Sequence, residues 1–257
     1  MQLVGLLDCN NFFVSCERLF RPDLRQRPVV VLSGNDGCIV ARSNEVKDLG
    51  VPMGVPYFQV ADTLQAAQAV SFSSNFTLYR DISRRVMTSL RELVDTMETY
   101  SIDESFFTLS AEDYDDALTQ LTQIKTTIEQ RVGVPVSVGA AKNKTIAKHA
   151  SAQEKRGTGV CVLIGEDWER TRAEMPVGSV WGIGRRLAAR LEAQQLRTVA
   201  DFVASDRSRV AKLFGVAGCR LYDELSEQVV WPVGSVERNT QKSIMSTRSF
   251  KNTTTDV

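Results

Sequence analysis

Two neighbouring acids, Asp103 and Glu104, stand between Thr99-Tyr100-Ser101-Ile102 and Ser105-Phe106-Phe107-Thr108-Leu109. The flanks are rich in aromatic and β-branched residues, so the stretch reads as strand, tight turn, strand with the acids at the turn. Two carboxylates packed side by side are costly unless a cation lies close. A third acid, Asp8, follows the apolar run Leu3-Val4-Gly5-Leu6-Leu7 and precedes Cys9-Asn10-Asn11-Phe12-Phe13. Taken alone, the pair reads as a solvated hairpin tip and Asp8 as the cap of the helix that follows. Taken together, three carboxylates at one sheet edge suit two magnesium ions, which prefer hard oxygen ligands and keep several waters. Two such ions, roughly 3.5–4 Å apart, clamp an in-line phosphoryl displacement: one activates an attacking hydroxyl, the other neutralises a leaving pyrophosphate. Asp8 and Asp103 would bridge both ions, and Glu104 would hold the one nearer the attacking group. The single histidine, His149, reads as a surface residue of a helix and offers no competing site.

The acids meet only if the elements carrying them are neighbours. Residues 3–7 form a strand and a helix-like stretch runs on through Leu19. Leu78, Ile82, Val86, Leu90 and Leu93 recur at helical spacing and predict a helix over 75–97. Leu118, Leu121, Ile124, Ile128 and Val132 predict a second over 115–132. Val134 to Val138 reads as a strand broken by Gly139, a basic helix starts near Lys144, and Gly159 to Ile164 is a further strand. Strand, helix, hairpin, helix, strand is the split βαβ, ferredoxin-like plan, an α+β fold class in which the first strand lies beside the hairpin.

Residues 21–72 interrupt this plan as a small insertion. Strands at Pro28–Leu32 and Cys38–Ala41 flank an Asp36-Gly37 turn, and a short helix from Ser43 to Leu49 is stopped by Gly50. Residues 166–232 are helical in character. Gly182-Ile183-Gly184 opens a helix beside Arg185 and Arg186, and Thr198-Val199-Ala200-Asp201 has the form of a capping box. The helix it opens, with Phe202, Val203, Val210 and Leu213 on its apolar face, is expected to end at Gly215. Ser243 to Phe250 has the pattern of one more strand.

A triphosphate needs cations from the protein, and Lys47 and Lys155 are the candidates. Lys142, Lys144 and Lys148 suit contacts with a nucleic-acid backbone. The Gly182–Gly184 hairpin exposes backbone N–H groups at a helix N-terminus, a phosphate-binding arrangement that Arg185 and Arg186 reinforce without reading sequence. Net charge predicts no such partner, since 31 Lys and Arg balance 31 Asp and Glu among 257 residues, so any basic surface has to be a local patch. Five scattered cysteines with no CxxC pair fit a reducing compartment. With no run of membrane-spanning length, the expected location is the cytoplasm, away from any membrane.

In these residues the chain resembles the Y-family translesion DNA polymerases, and within them the UmuC type that forms the catalytic subunit of DNA polymerase V. The motifs that carry the resemblance are Leu7-Asp8-Cys9-Asn10-Asn11-Phe12-Phe13, Asn35-Asp36-Gly37-Cys38-Ile39-Val40-Ala41-Arg42, Phe72-Ser73-Ser74-Asn75, Tyr100-Ser101-Ile102-Asp103-Glu104, Val138-Gly139-Ala140-Ala141-Lys142-Asn143-Lys144, and Val180-Trp181-Gly182-Ile183-Gly184-Arg185-Arg186. The resemblance implies a ferredoxin-like palm at 1–20 and 73–165, an inserted fingers subdomain at 21–72 and an all-α helix-hairpin-helix thumb at 166–232. It implies a linker at 233–257 towards a little-finger domain that the chain is expected to lack. Asp8, Asp103 and Glu104 would be the catalytic residues and, with the Cys9 carbonyl, the ligands of two Mg2+ ions. Phe12 and Phe13 would face the nucleotide, Phe13 as the ring that clashes with a 2′-hydroxyl. Asn44, Lys47 and Lys155 fall on triphosphate-contact positions, although Asn44 stands where many relatives have tyrosine. Lys142, Lys144, Gly182, Gly184, Arg185 and Arg186 would contact DNA.

The implied partners are primer-template DNA, deoxynucleoside triphosphates, a processed UmuD-like dimer and a recombinase filament. The implied role is error-prone synthesis past DNA damage. Two other readings compete. A chain without a little finger could be a non-catalytic module that binds DNA or a polymerase, and the palm plan with its carboxylates is shared by nucleotidyl cyclases. The Gly182–Arg186 hairpin argues against a cyclase, which needs no grip on a duplex.

Overall fold

A computed structural model describes residues 1–235. They fall into two compact units, 1–9 with 85–235 and 10–84. In chain order, β1 (Gln2–Cys9) belongs to the larger unit. The smaller unit holds α1 (Phe12–Phe20), β2 (Val29–Leu32), β3 (Ile39–Arg42), α2 (Asn44–Asp48), α3 (Tyr57–Ala66) and β4 (Val70–Phe72), and the chain returns to the larger unit within α4 (Phe76–Arg91). There follow β5 (Met97–Thr99), β6 (Glu104–Ser110), α5 (Tyr114–Val132), β7 (Val136–Ala141), α6 (Lys144–Gln153) and β8 (Val160–Leu163). Four helices close the described chain: α7 (Gly165–Glu174), α8 (Arg185–Glu192), α9 (Val199–Ala204) and α10 (Arg207–Leu225). The expected strand from Ser243 to Phe250, and most of the segment 233–257, lie outside the described residues.

In the larger unit one five-stranded sheet has the order β5-β6-β1-β7-β8. β1 is its centre, antiparallel to β6 on one side and to β7 on the other. It is buried from Leu3 to Cys9, which is why its sequence reads as a nearly unbroken apolar run. Gly5 lies opposite Phe107, and a Cβ on Gly5 would sit 2.2 Å from that ring, so the glycine makes room for it. Val4, Leu6 and Phe106 of the sheet share a core with Ile146, Ala147 and Ala150 of α6 and with Trp168, Phe202 and Val210 of the later helices.

The expected break at Gly139 does not occur: β7 runs through it to Ala141. Gly139 is there for closeness, because a Cβ would meet the backbone of Ser151 and Ala150 at 2.1–2.7 Å. This lets α6 lie directly on the strand. Thr198 and Asp201 form the expected capping box at α9, with both reciprocal bonds present. The helix beyond differs from expectation. α9 ends at Ala204 and α10 starts at Arg207; Gly215 (φ 66°, ψ −160°) does end a helical stretch, as expected, but a second one follows it directly to Leu225. The reason is that Cys219, Leu221 and Leu225 beyond the glycine have their own buried positions.

In the smaller unit β2 pairs antiparallel with β3 and parallel with β4. Val30, Leu32, Ile39, Val46, Val51 and Leu64 form its core. The hairpin and α2 follow the sequence pattern, and Gly50 (φ 77°) ends the latter as expected. α3 and β4 were not expected, since Gly54 and Pro56 read as a loop; Pro56 is in fact the residue that precedes α3. Among the described residues no helix is long and apolar enough to cross a membrane.

Candidate active site

The antiparallel register of β1 and β6 sets Asp8 directly opposite Glu104. The Cys9 N–H donates to the Asp103 carbonyl at 2.9 Å, which fixes the turn of the β5–β6 hairpin against the end of β1. So residues about a hundred positions apart are brought to one end of the central strands. Asp8 is not a helix cap: the residue preceding α1 is Asn11. Within the turn Ser101 is the organiser. Its hydroxyl donates to Asp103 Oδ1 at 2.6 Å and accepts from the Glu104 N–H at 3.0 Å. Sequence reasoning passed over Ser101, although a serine opening a tight turn is the signal for this bonding.

The electrostatics are those of crowded carboxylates. Asp8 is 7% exposed. Its carboxyl is pushed up to about 6: burial raises it most, the Lys155 ammonium pulls against that, and the neighbouring Glu104 carboxylate adds a smaller rise. Lys155 Nζ donates to Asp8 Oδ2 at 2.7 Å, and Lys148 Nζ donates to Glu104 Oε1 at 2.5 Å. The Lys148 ammonium also lies over the rings of Tyr100 and Trp181, 5.1 and 5.6 Å from their centroids. Two acids are thus held together by two ammonium groups. Among the described residues no three His, Cys, Asp or Glu side chains close on one point. Asp8 and Glu104 form a pair, while Asp103, next along the chain, is turned to Ser101. The donors are all hard carboxylate oxygens, two of them already matched to cations, so the set fits a hard divalent ion.

Lys144, expected to contact DNA, does something else. Its side chain is 4% exposed and donates to both oxygens of Glu98 at 2.7 Å, with the Phe106 ring 5.3 Å away. An ammonium so enclosed and paired cannot reach a phosphate backbone without leaving a buried carboxylate unpaired. Glu98 also accepts from the Gly234 N–H at 2.8 Å. Asn143 caps α6 through the Ile146 N–H and donates to the carbonyls of Glu224 and Gln228. This part of the motif is therefore structural. Lys142 is exposed. His149 is half-buried, not on the surface, and burial holds its imidazole below the usual value.

Gly182 and Gly184 are exposed, with Ile183 between them buried in the core, and Arg185 and Arg186 are exposed as well. Gly182 has φ 92°, which favours glycine, and Gly184 is the residue that precedes α8. A Cβ would meet nothing within 4 Å at either glycine, so the backbone there is open to an approaching group.

The smaller unit holds the other expected residues. Phe12 is buried and Phe13 half-buried. Phe13 stacks on Tyr79 with centroids 4.3 Å apart and meets Phe76 edge-on at 6.2 Å. Lys47 Nζ donates to Asn11 Oδ1 at 2.5 Å, and Asn11 Nδ2 donates to Asn44 Oδ1 at 3.1 Å. Asn11 and Tyr79 were missed by sequence reasoning because their partners lie far along the chain.

Residues 7–152 match the model of the impB/mucB/samB family. Protein UmuC of Salmonella typhimurium is 40% identical over 99% of this chain and 61% of its own length. This chain thus spans less than two thirds of that relative. The insertion ternary complex of Dbh DNA polymerase superposes with a TM-score of 0.80 at 25% identity, covering 90% of this chain and 69% of that one. A Y-family DNA polymerase chimera of Dbh gives 0.81 at 24% identity, over 92% and 70%. Fold, acid-bearing hairpin and sequence match agree, and the chain belongs to the impB/mucB/samB family, with the fold of the Y-family DNA polymerases.

Proposed function

We propose that the chain adds deoxynucleotides to a primer 3′-hydroxyl under the direction of a DNA template, as the palm, fingers and thumb of a translesion DNA polymerase. The palm is 1–20 with 73–165, the fingers 21–72 and the thumb 166–232. The observation that carries the reading is the pairing of Asp8 with Glu104 at the end of β1 and β6, neutralised by Lys155 and Lys148. Two bound Mg2+ ions would supply activation of the hydroxyl and charge neutralisation at the pyrophosphate. Asp8, Asp103, Glu104 and the Cys9 carbonyl would hold them. Lys155, which pairs with Asp8 at 2.7 Å, would offer its ammonium to the triphosphate, as would Lys47 and Asn44 their side chains. Phe12 backs Phe13, whose ring excludes a 2′-hydroxyl. Lys142 and the hairpin Gly182, Gly184, Arg185 and Arg186 hold the duplex backbone without reading its sequence. A UmuD-like dimer and a recombinase filament are the further partners of this reading, and the cytoplasm is where it operates.

Primer extension tests it, on undamaged and abasic templates with magnesium and the four deoxynucleotides. Extension by the parent on both templates and none by an Asp103→Ala, Glu104→Ala double variant is the expected result. No extension by either protein, with primer-template still bound, overturns the proposal in favour of a binding module. Cyclic product from nucleotide incubated without DNA overturns it in favour of a cyclase.

A further inference from the structure

Asn11 occupies a position whose local chemistry its side chain does not use. It precedes α1, where an asparagine ordinarily accepts a hydrogen bond from the first turn of the helix. Here no such bond is made, and the backbone sits in the left-handed region at φ 49°, ψ 45°. The side chain points instead at α2, where Asn11 Oδ1 accepts from Lys47 Nζ at 2.5 Å and Asn11 Nδ2 donates to Asn44 Oδ1 at 3.1 Å. The orientation is forced. An ammonium has only protons to offer, so Lys47 demands the amide oxygen, and the amide NH2 must then find the oxygen of Asn44. Two local costs, a forgone cap and a strained backbone, are thus retained together with a bridge between a lysine and an asparagine on one face of α2.

We infer that Asn11 is a positioning residue for the triphosphate: it holds the Lys47 ammonium, on its flexible four-carbon stem, in the place where a phosphate oxygen is received. This deepens the proposed function and rests on its reading of Lys47. The chain's own amide pair, Asn11 with Asn44, then does by hydrogen bonding what an anchoring residue of another type would do by packing.

The test is the affinity of the 257-residue chain for a deoxynucleoside triphosphate, measured by titration in the presence of magnesium and a primer-template ended in a dideoxynucleotide, so that no chemistry follows. Asn11→Gly is the variant of choice, because glycine accepts a positive φ while losing the amide. Asn11→Gly should weaken nucleotide affinity roughly threefold to tenfold, the size of one positioned hydrogen bond. Lys47→Ala should weaken it at least as much, and the double variant should equal Lys47→Ala alone. Unchanged affinity in Asn11→Gly, with Lys47→Ala weakened, overturns the inference and leaves the function intact. So does a double variant whose losses multiply. Unchanged affinity in Lys47→Ala removes the triphosphate role of Lys47 and the inference with it, and a parent chain that binds no nucleotide overturns the proposed function itself.

Discussion

Glu224 offers the sharpest stability test in the larger unit. It is fully buried near the end of α10. Its Oε2 accepts from the Thr145 N–H at 3.1 Å, in the first turn of α6, and its Oε1 accepts from the N–H groups of Val230 and Trp231 at 2.8 and 3.2 Å. One carboxylate therefore satisfies three backbone donors from two segments. Glu224→Ala orphans all three. Thr145 is buried, so its N–H is charged at about 2 kcal/mol, and the half-buried Val230 and Trp231 at about 1 kcal/mol each, for a total of about 4 kcal/mol. Glu224→Gln keeps one oxygen for Val230 and Trp231 but turns an NH2 towards the Thr145 N–H, so its cost is about 2 kcal/mol. The assay is urea unfolding followed by tryptophan fluorescence. All three tryptophans, Trp168, Trp181 and Trp231, lie in the larger unit, so the signal reports on it. The expected order is parent, Gln, Ala, in two clear steps. A Gln variant as unstable as Ala, or an Ala variant within 0.5 kcal/mol of the parent (roughly the effect of a neutral surface change), would refute the reasoning.

Other perturbations separate structure from function. Gly139→Ala drives a Cβ into the backbone of Ser151 and Ala150 and should cost about 3 kcal/mol, read as a lower urea midpoint with an unchanged slope. Lys144→Ala should cost about 3 kcal/mol by leaving Glu98 unpaired, yet leave the salt dependence of DNA binding as it was, whereas Lys142→Ala should lower that dependence without a stability cost. Asp8 predicts a pH effect of defined sign. Its carboxyl is pushed from 3.8 to about 6 on folding, so the protonated form is favoured in the folded chain. Metal-free protein should lose stability as pH rises from about 4 to about 6 and Asp8→Asn should lack that slope, both read from urea midpoints across the range.

The legible features were those written in neighbouring residues. The capping box at Thr198 and Asp201 needs only four positions, and the acid-bearing hairpin needs eleven. The meeting of Asp8 with Glu104 followed from element order, because a split βαβ plan leaves the first strand little choice of neighbour. What stayed hidden depends on partners remote in sequence. Gly139 looked like a strand breaker because the helix that presses on it is not visible in local pattern. Lys144 looked like a solvent-facing cation because Glu98, which encloses it, lies 46 positions away. The role of Asn11 could not be read locally because its bonds run to α2, 33 and 36 positions away. In the smaller unit α3 was obscured by Gly54 and Pro56, which mark a helix start as readily as a loop.

The central claim is that Asp8 and Glu104 are cation ligands and not merely partners of Lys155 and Lys148. Manganese, a paramagnetic stand-in for magnesium, tests it directly through the resonance signal of the free ion. The titration uses the 257-residue chain with a dideoxy-ended primer-template and the next deoxynucleotide. The parent should withdraw manganese from solution beyond what DNA and nucleotide bind alone, and Asp8→Asn and Glu104→Gln should lose that excess while keeping the parent's fluorescence. The same excess bound by parent and variants would contradict it and leave the two acids as structural ion pairs.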